Sequence, residues 1–295
     1  MGLRSAHRPR NVRHRLCLRE VMRVFPVAGP QQIVPRRRTS STELHWISRA
    51  GDSVSGELGP HDWAVIGREL GDRDWATTDP LPVRKSKGVR NLFTPSLYFW
   101  QPTRTHVWCE SQEERWEVLW LEFSGQVERL WAQPVAITFG HGSRLSGSWH
   151  VPDLLALFTD GSYGLLDVRY AEGVDDRARV QFAETAAACD ALGWRYRVLT
   201  GHGKRATGNL DSLSASRHDR CRPSHELEAL ILNAARGGRR RGDLCRIASP
   251  DCPPLACAWV DNLAWRRLLH VDLAGVFSSE TVYTTTEAAM EVTAA

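Results

Sequence analysis

The sequence predicts an α/β fold: an α-β-β-β-α-β core over residues 107–200, followed by a small α+β unit over 224–285. Three observations carry that expectation. Trp116, Leu119, Trp120 and Phe123 recur at helical spacing ahead of three short apolar segments. The Asp160-Gly161 dipeptide is a hairpin signal between two of those segments. A second helical pattern then ends at Gly193 and leads into an alternating segment.

Ser111-Gln112-Glu113-Glu114 opens the first helix, which runs to about Phe123, and the Ser-x-x-Glu spacing is a capping-box pattern. Val118 and Leu121 line up with Glu114 on the side away from the tryptophans, so the helix is apolar on two faces and must be sandwiched. Strands are expected at Val135–Phe139, at Trp149–Phe158 (apolar enough for burial on both faces) and at Tyr163–Tyr170. Asp175–Leu192 reads as a helix with Phe182, Ala186 and Cys189 on one face. Gly193 stands where a helix-terminating glycine belongs. Trp194–Thr200 alternates as the last core strand.

Upstream, residues 43–106 form an N-terminal arm in which Glu43–Ile47 reads as a strand and little else is resolved. Residues 201–223 are rich in Gly, Ser, His and Arg and read as a linker. Beyond it, Leu227, Leu230, Ile231 and Ala234 form a helical stripe ending at Gly237-Gly238. A helix over Leu255–Leu269 follows, then strands at Val271–Phe277 and Thr281–Thr284 around Ser278-Ser279-Glu280. Helices followed by a small hairpin outline a winged helix. Residues 286–295 read as a tail.

Of 295 residues, 42% are hydrophobic and 24% charged, a globular composition that excludes wholesale disorder and collagen. There is no apolar run of ~18 residues for a membrane span and no secretory h-region, so a cytoplasmic protein without membrane partners is expected. The net charge of +4 is uneven: residues 1–38 carry ten arginines against Glu20 alone. Residues 1–42 are therefore a basic tail, either a solvated extension or a nucleic-acid arm. Arg84–Arg90 is a basic loop. The seven cysteines show no C-x-x-C spacing and read as free thiols.

His150-Val151-Pro152-Asp153 and, further on, Asp167-Val168-Arg169 carry the chemistry. Alternation puts Asp167 and Arg169 on one strand face, and the intervening hairpin brings Asp153 towards them. Carboxylates gathered on a sheet need a positive charge among them, and oxygen ligands favour Mg²⁺ or Mn²⁺. Such a metal serves phosphodiester hydrolysis, by activating water and polarising the phosphoryl oxygen. Arg169 donates to developing charge but cannot act as a base. Plainer roles stand beside these: a turn acid for Asp153, an ion pair for Asp167 and Arg169, and a helix cap for Glu114.

The order of helix glutamate, strand aspartate and Asp-x-Arg resembles the TnsA family, the endonuclease subunits of heteromeric transposases. The resemblance covers roughly residues 88–200, through Val89-Arg90-Asn91, Trp108-Cys109-Glu110-Ser111, Ala132-Gln133-Pro134 and Cys189-Asp190-Ala191-Leu192-Gly193-Trp194-Arg195-Tyr196. It implies a restriction-endonuclease-like mixed sheet flanked by helices, of the PD-(D/E)xK type, with a C-terminal winged-helix-like domain. It also implies that Glu114, Asp153 and Asp167 bind Mg²⁺ (Mn²⁺ as a substitute), with Arg169 in the usual lysine position. The activity implied is cleavage of the 5′ strand at transposon ends. The partners implied are DNA, a TnsB-like DDE transposase and a TnsC-like ATPase that docks on region 224–285. Two other readings stay open: a catalytically inactive assembly and DNA-binding subunit of the same complex, and a stand-alone restriction or repair nuclease.

Overall fold

The computed structural model describes residues 41–48, 80–83, 95–170 and 173–294. The arginine-rich residues 1–38 and the basic loop 84–90 lie outside the described residues. The elements run β1 (Glu43–Ser48), β2 (Pro80–Leu81), β3 (Ser96–Trp100), β4 (Thr105–Cys109), α1 (Gln112–Ser124), β5 (Val127–Ala132), β6 (Val135–Thr138), β7 (Trp149–His150), β8 (Leu154–Phe158), β9 (Tyr163–Val168), α2 (Asp176–Ala191) and β10 (Arg195–Leu199). They continue as α3 (Lys204–Ser214), α4 (His225–Ala235), β11 (Arg239–Arg240), α5 (Arg241–Ala248), α6 (Pro253–Trp265), β12 (Leu269–Val271), β13 (Val282–Thr285) and α7 (Glu287–Ala294). The chain is thus mixed α/β. No helix among the described residues is long and apolar enough to cross a membrane.

The central sheet has the order β10-β9-β8-β5. β5, β8 and β9 are antiparallel neighbours, and β10 joins β9 in parallel after the α2 crossover. Its two faces feed different hydrophobic clusters. Leu154, Ala156 and Leu166 pack with Val118 and Leu119 of α1. Leu155 and Leu165 pack with Cys189, Leu192 and Trp194, and with Trp46 and Ile137 of a second sheet of order β2-β1-β6-β7. Gly193 has φ 68 at the end of α2, a conformation that favours glycine, as its sequence position implied.

Several elements differ from expectation. The first core strand is β5, whereas Val135–Thr138 pairs with β1 in the second sheet. Val-Glu-Arg-Leu-Trp-Ala hides its strand character because a register shift between Val127 and Arg129 breaks the alternation. The single strand expected over Trp149–Phe158 is two, in different sheets, divided where Pro152 has no N–H to give a ladder. Leu230 is 45% exposed, and the stripe that α4 buries is Ile231, Leu232 and Ala235. The next long helix stops at Trp265, and Leu269–Val271 is already strand.

Residues 201–223 are not an open linker. They hold α3, whose Leu210 and Leu213 are fully buried in one cluster with Val118 and Leu119 of α1 and with Val260 and Leu263 of α6. Two leucines at i, i+3 suffice to seat a helix whose other residues are polar. The rings of Phe123 and Trp265 meet at 5.4 Å across the same junction. The expected tail 286–295 contains α7 instead. The C-terminal unit runs α4-β11-α5-α6-β12-β13, with its three strands in the order β11-β13-β12. Its polar centre is Asp261, which accepts from Arg241 Nε at 2.8 Å and from the buried Tyr283 hydroxyl at 3.0 Å.

Candidate active site

Leu154 pairs with Leu166, so Asp153 enters β8 beside the end of β9. Its carboxylate is 2% exposed, and Oδ2 accepts the Val168 N–H at 2.8 Å. Arg169 Nη1 lies 3.4 Å from the same oxygen and donates to the Val168 carbonyl at 2.8 Å. The Gln133 N–H donates to the Asp153 carbonyl at 2.8 Å from the left-handed region, φ 48. A buried non-glycine residue held there costs ~1–3 kcal/mol, a strain that the surrounding β5–β6 turn has to offset.

Asp167 follows the parity of Leu165 and is turned towards α2, where it is fully buried. His150 Nε2 lies 2.9 and 3.1 Å from its two oxygens, and the Tyr196 hydroxyl donates at 2.5 Å. Gln181 Nε2, 2.7 Å from His150 Nδ1, makes that nitrogen the acceptor and leaves the Nε2 hydrogen for Asp167. Burial by itself raises the Asp167 carboxyl, but the bonds from His150 and Tyr196 outweigh it and hold the group below the usual carboxylate range. Burial, with the Asp167 charge beside it, pushes the Tyr196 phenol up.

Glu114 sits in the first turn of α1, over the opposite face of the sheet from Asp167. Its Oε2 accepts the Glu110 N–H at 2.8 Å, its Oε1 lies 3.2 Å from Ser111 Oγ, and its own N–H donates to Ser111 Oγ at 3.1 Å. This is the reciprocal exchange of a capping box.

The structure therefore brings Asp153 and Arg169 together, sets Asp167 on the neighbouring strand but facing the α2 core, and places Glu114 in α1 over the opposite face from Asp167. Among the described residues, no three His, Cys, Asp or Glu side chains are grouped to hold a metal ion. Mg²⁺ demands near-octahedral oxygen ligands at about 2.0–2.1 Å, and as arranged these residues do not fit it. The physical reason is that each strand carboxylate already has a nitrogen partner, Arg169 for Asp153 and His150 for Asp167.

Arg169 also lines a pocket of about 500 Å³ between α1 and the start of α3, with Glu113, Trp116, Glu117, His202 and Lys204. Glu117 is 3% exposed, and its Oε1 accepts the Gly201 N–H at 2.9 Å. Its Oε2 lies 3.4 Å from His202 Nε2. Burial pushes the Glu117 carboxyl up, against the pull of His202 and the Gly201 N–H. The His202 ring stacks on Trp120 at 4.1 Å and 22°, and Trp120 Nε1 donates to Thr207 Oγ1 at 3.2 Å. Sequence reasoning missed Glu117 and His202. Glu117 lies one turn beyond Glu113, which is a legible signal, but Gly201-His202 falls in a stretch whose composition reads as a linker.

No protein-family model matches the chain, and no curated protein matches it.

Proposed function

We propose that this chain is a DNA endonuclease subunit of a heteromeric transposase, hydrolysing a phosphodiester of the 5′ strand at transposon ends. The observation that carries the reading is the order α1-β5-β8-β9-α2-β10 in one mixed sheet, with Asp153 and Arg169 paired where β8 begins and β9 ends. That order is compatible with the α-β-β-β-α-β outline expected of a restriction-endonuclease-like core. The α4-β11-α5-α6-β12-β13 unit is compatible with a winged-helix outline, and in this reading region 224–285 docks a TnsC-like ATPase. Arg169 supplies a permanent positive charge for the phosphoryl oxygens and cannot serve as the base. The resemblance implies Mg²⁺ or Mn²⁺ held by Glu114, Asp153 and Asp167, although among the described residues no three such side chains are grouped around one point. The reading therefore rests on the scaffold and on the Asp153–Arg169 pair.

The test is 5′-strand nicking of transposon-end DNA by the full chain with TnsB-like and TnsC-like subunits. Asp153→Ala is expected to abolish the nick, and unchanged cutting rejects the proposal. A second reading, a non-hydrolysing assembly subunit that binds DNA, is favoured by the guanidinium on Asp153 and the enclosure of Asp167. Calorimetric titration of the DNA-bound chain with Mn²⁺ separates the two. Binding that disappears in Asp153→Ala supports the endonuclease, and no binding at millimolar metal supports the assembly subunit.

A further inference from the structure

We propose that His202 is the proton-transfer residue of the pocket beside Arg169, acting on a phosphodiester; the inference rests on the endonuclease reading and names a catalytic residue for it. The three candidate groups of the Asp153–Arg169 region are poorly suited to moving a proton. Arg169 stays protonated, Asp153 is held by the Val168 N–H and Arg169, and Asp167 is shut inside the core. The His202 side chain is 41% exposed and lines the same pocket as Arg169. Histidine is also the side chain best suited to exchange a proton near neutral pH.

Its setting is built. Glu117 stands behind Nε2 at 3.4 Å, fixed in turn by the Gly201 N–H. Trp120 holds the ring plane by stacking and is itself anchored to Thr207. A buried carboxylate behind an imidazole orients the ring and stabilises the imidazolium that forms on taking a proton. An ion pair with one exposed member adds little stability, so stability alone does not account for the arrangement. Glu117 is a positioning residue, acting through His202.

In the step, an O–H bond of water breaks and its proton passes to the imidazole. The water oxygen forms a bond to phosphorus, and the bond from phosphorus to a bridging oxygen breaks. That leaving oxygen takes the proton from the imidazolium, which returns the ring to its neutral form. Water is the only co-reactant, and atoms and charge balance. Arg169 and Lys204 line the pocket as donors for the non-bridging oxygens. The charged and titratable groups around His202 are Glu113 and Glu117 from α1, Arg169 and Tyr170 from the end of β9, and Lys204 from α3.

The experiment is hydrolysis of bis(p-nitrophenyl) phosphate by the full chain in magnesium buffer between about pH 5 and pH 9, a range centred on histidine titration. The wild-type rate is expected to rise with pH to a plateau. His202→Gln should lower the plateau about 10²–10⁴-fold and remove the rising limb. Glu117→Gln should cost less and keep the rising limb, because the imidazole remains but loses the carboxylate that orients it. A folded His202→Gln that keeps the wild-type rate and limb, while Asp153→Ala is inert, overturns the role of His202 alone. A wild-type chain inert on this diester and on DNA overturns the endonuclease reading and this inference together. Should His202→Gln melt early, histidine-ring NMR of the wild-type chain decides. The signal that Glu117→Gln shifts must also move on adding inorganic phosphate, and a still signal overturns the proposal.

Discussion

The Arg169 guanidinium sits 3.4 Å from Asp153 Oδ2 while donating at 2.8 Å to the carbonyl of Val168. The protein's own cation thus stands beside the carboxylate where the sequence pattern called for a divalent ion. The pair is unequal, because Asp153 is buried and the Arg169 side chain is 36% exposed.

That inequality predicts unequal mutants. Asp153→Ala strands the Val168 N–H and should cost ~1–3 kcal/mol. Arg169→Ala should cost only ~0–1 kcal/mol, since water screens the exposed guanidinium. Urea unfolding of the two variants checks the order. Equal losses would mean that Arg169 is held more tightly than its exposure implies.

Tyr196→Phe removes the 2.5 Å donor to Asp167 and leaves the buried carboxylate to His150. A loss of ~1–3 kcal/mol is expected, rising to ~3–5 kcal/mol for His150→Ala, which takes away the larger partner of a fully buried charge. Both should appear as lower denaturation midpoints with an unchanged dependence on denaturant concentration. A His150→Ala variant of unchanged stability would show that Asp167 finds another hydrogen-bond donor.

Ser111→Ala removes the side-chain acceptor at the start of α1 and should cost ~0.5–2 kcal/mol. Glu114→Gln retains an acceptor for the Glu110 N–H, so its thermal midpoint should stay near wild type. If Glu114→Gln melts normally yet loses DNA cleavage, Glu114 has the catalytic role that its place in the sequence suggested, beyond its capping bonds.

Burial raises the carboxyl of Glu122 above its ordinary value, with Arg217 Nε at 3.5 Å pulling the other way. The folded state then binds more protons than the unfolded one, so this group's stabilising contribution is complete below the ordinary glutamate pKa of about 4.3 and is lost as pH rises through the raised folded value. Glu122→Gln should flatten the decline of stability that this linkage produces as pH rises above the ordinary glutamate value of about 4.3. Urea midpoints measured across that range check it, and parallel profiles for both proteins would show that Glu122 ionises without penalty.

What was legible came from local pattern. Ser111 opens α1 as a cap residue does, and Asp175 and Gly193 bound α2. The Asp160-Gly161 hairpin joined β8 to β9 in the register that brings Asp153 to Arg169. β5 was missed because its bulge destroys the period-2 signal, and α3 because two buried leucines are too few to stand out among polar neighbours. Glu117 and His202 come from segments far apart in the chain, so their meeting has no trace in spacing.

Capping, turn chemistry and hydrophobic period act over a few residues, and the sequence alone was enough to place α1, α2 and the β8–β9 hairpin. Only the packed structure decided which side of the sheet each strand carboxylate occupies and which nitrogen partners it. Those outcomes depend on α1 and α2 covering opposite faces, and on the loss of water around groups such as Asp167, a penalty that exists only once the core has closed.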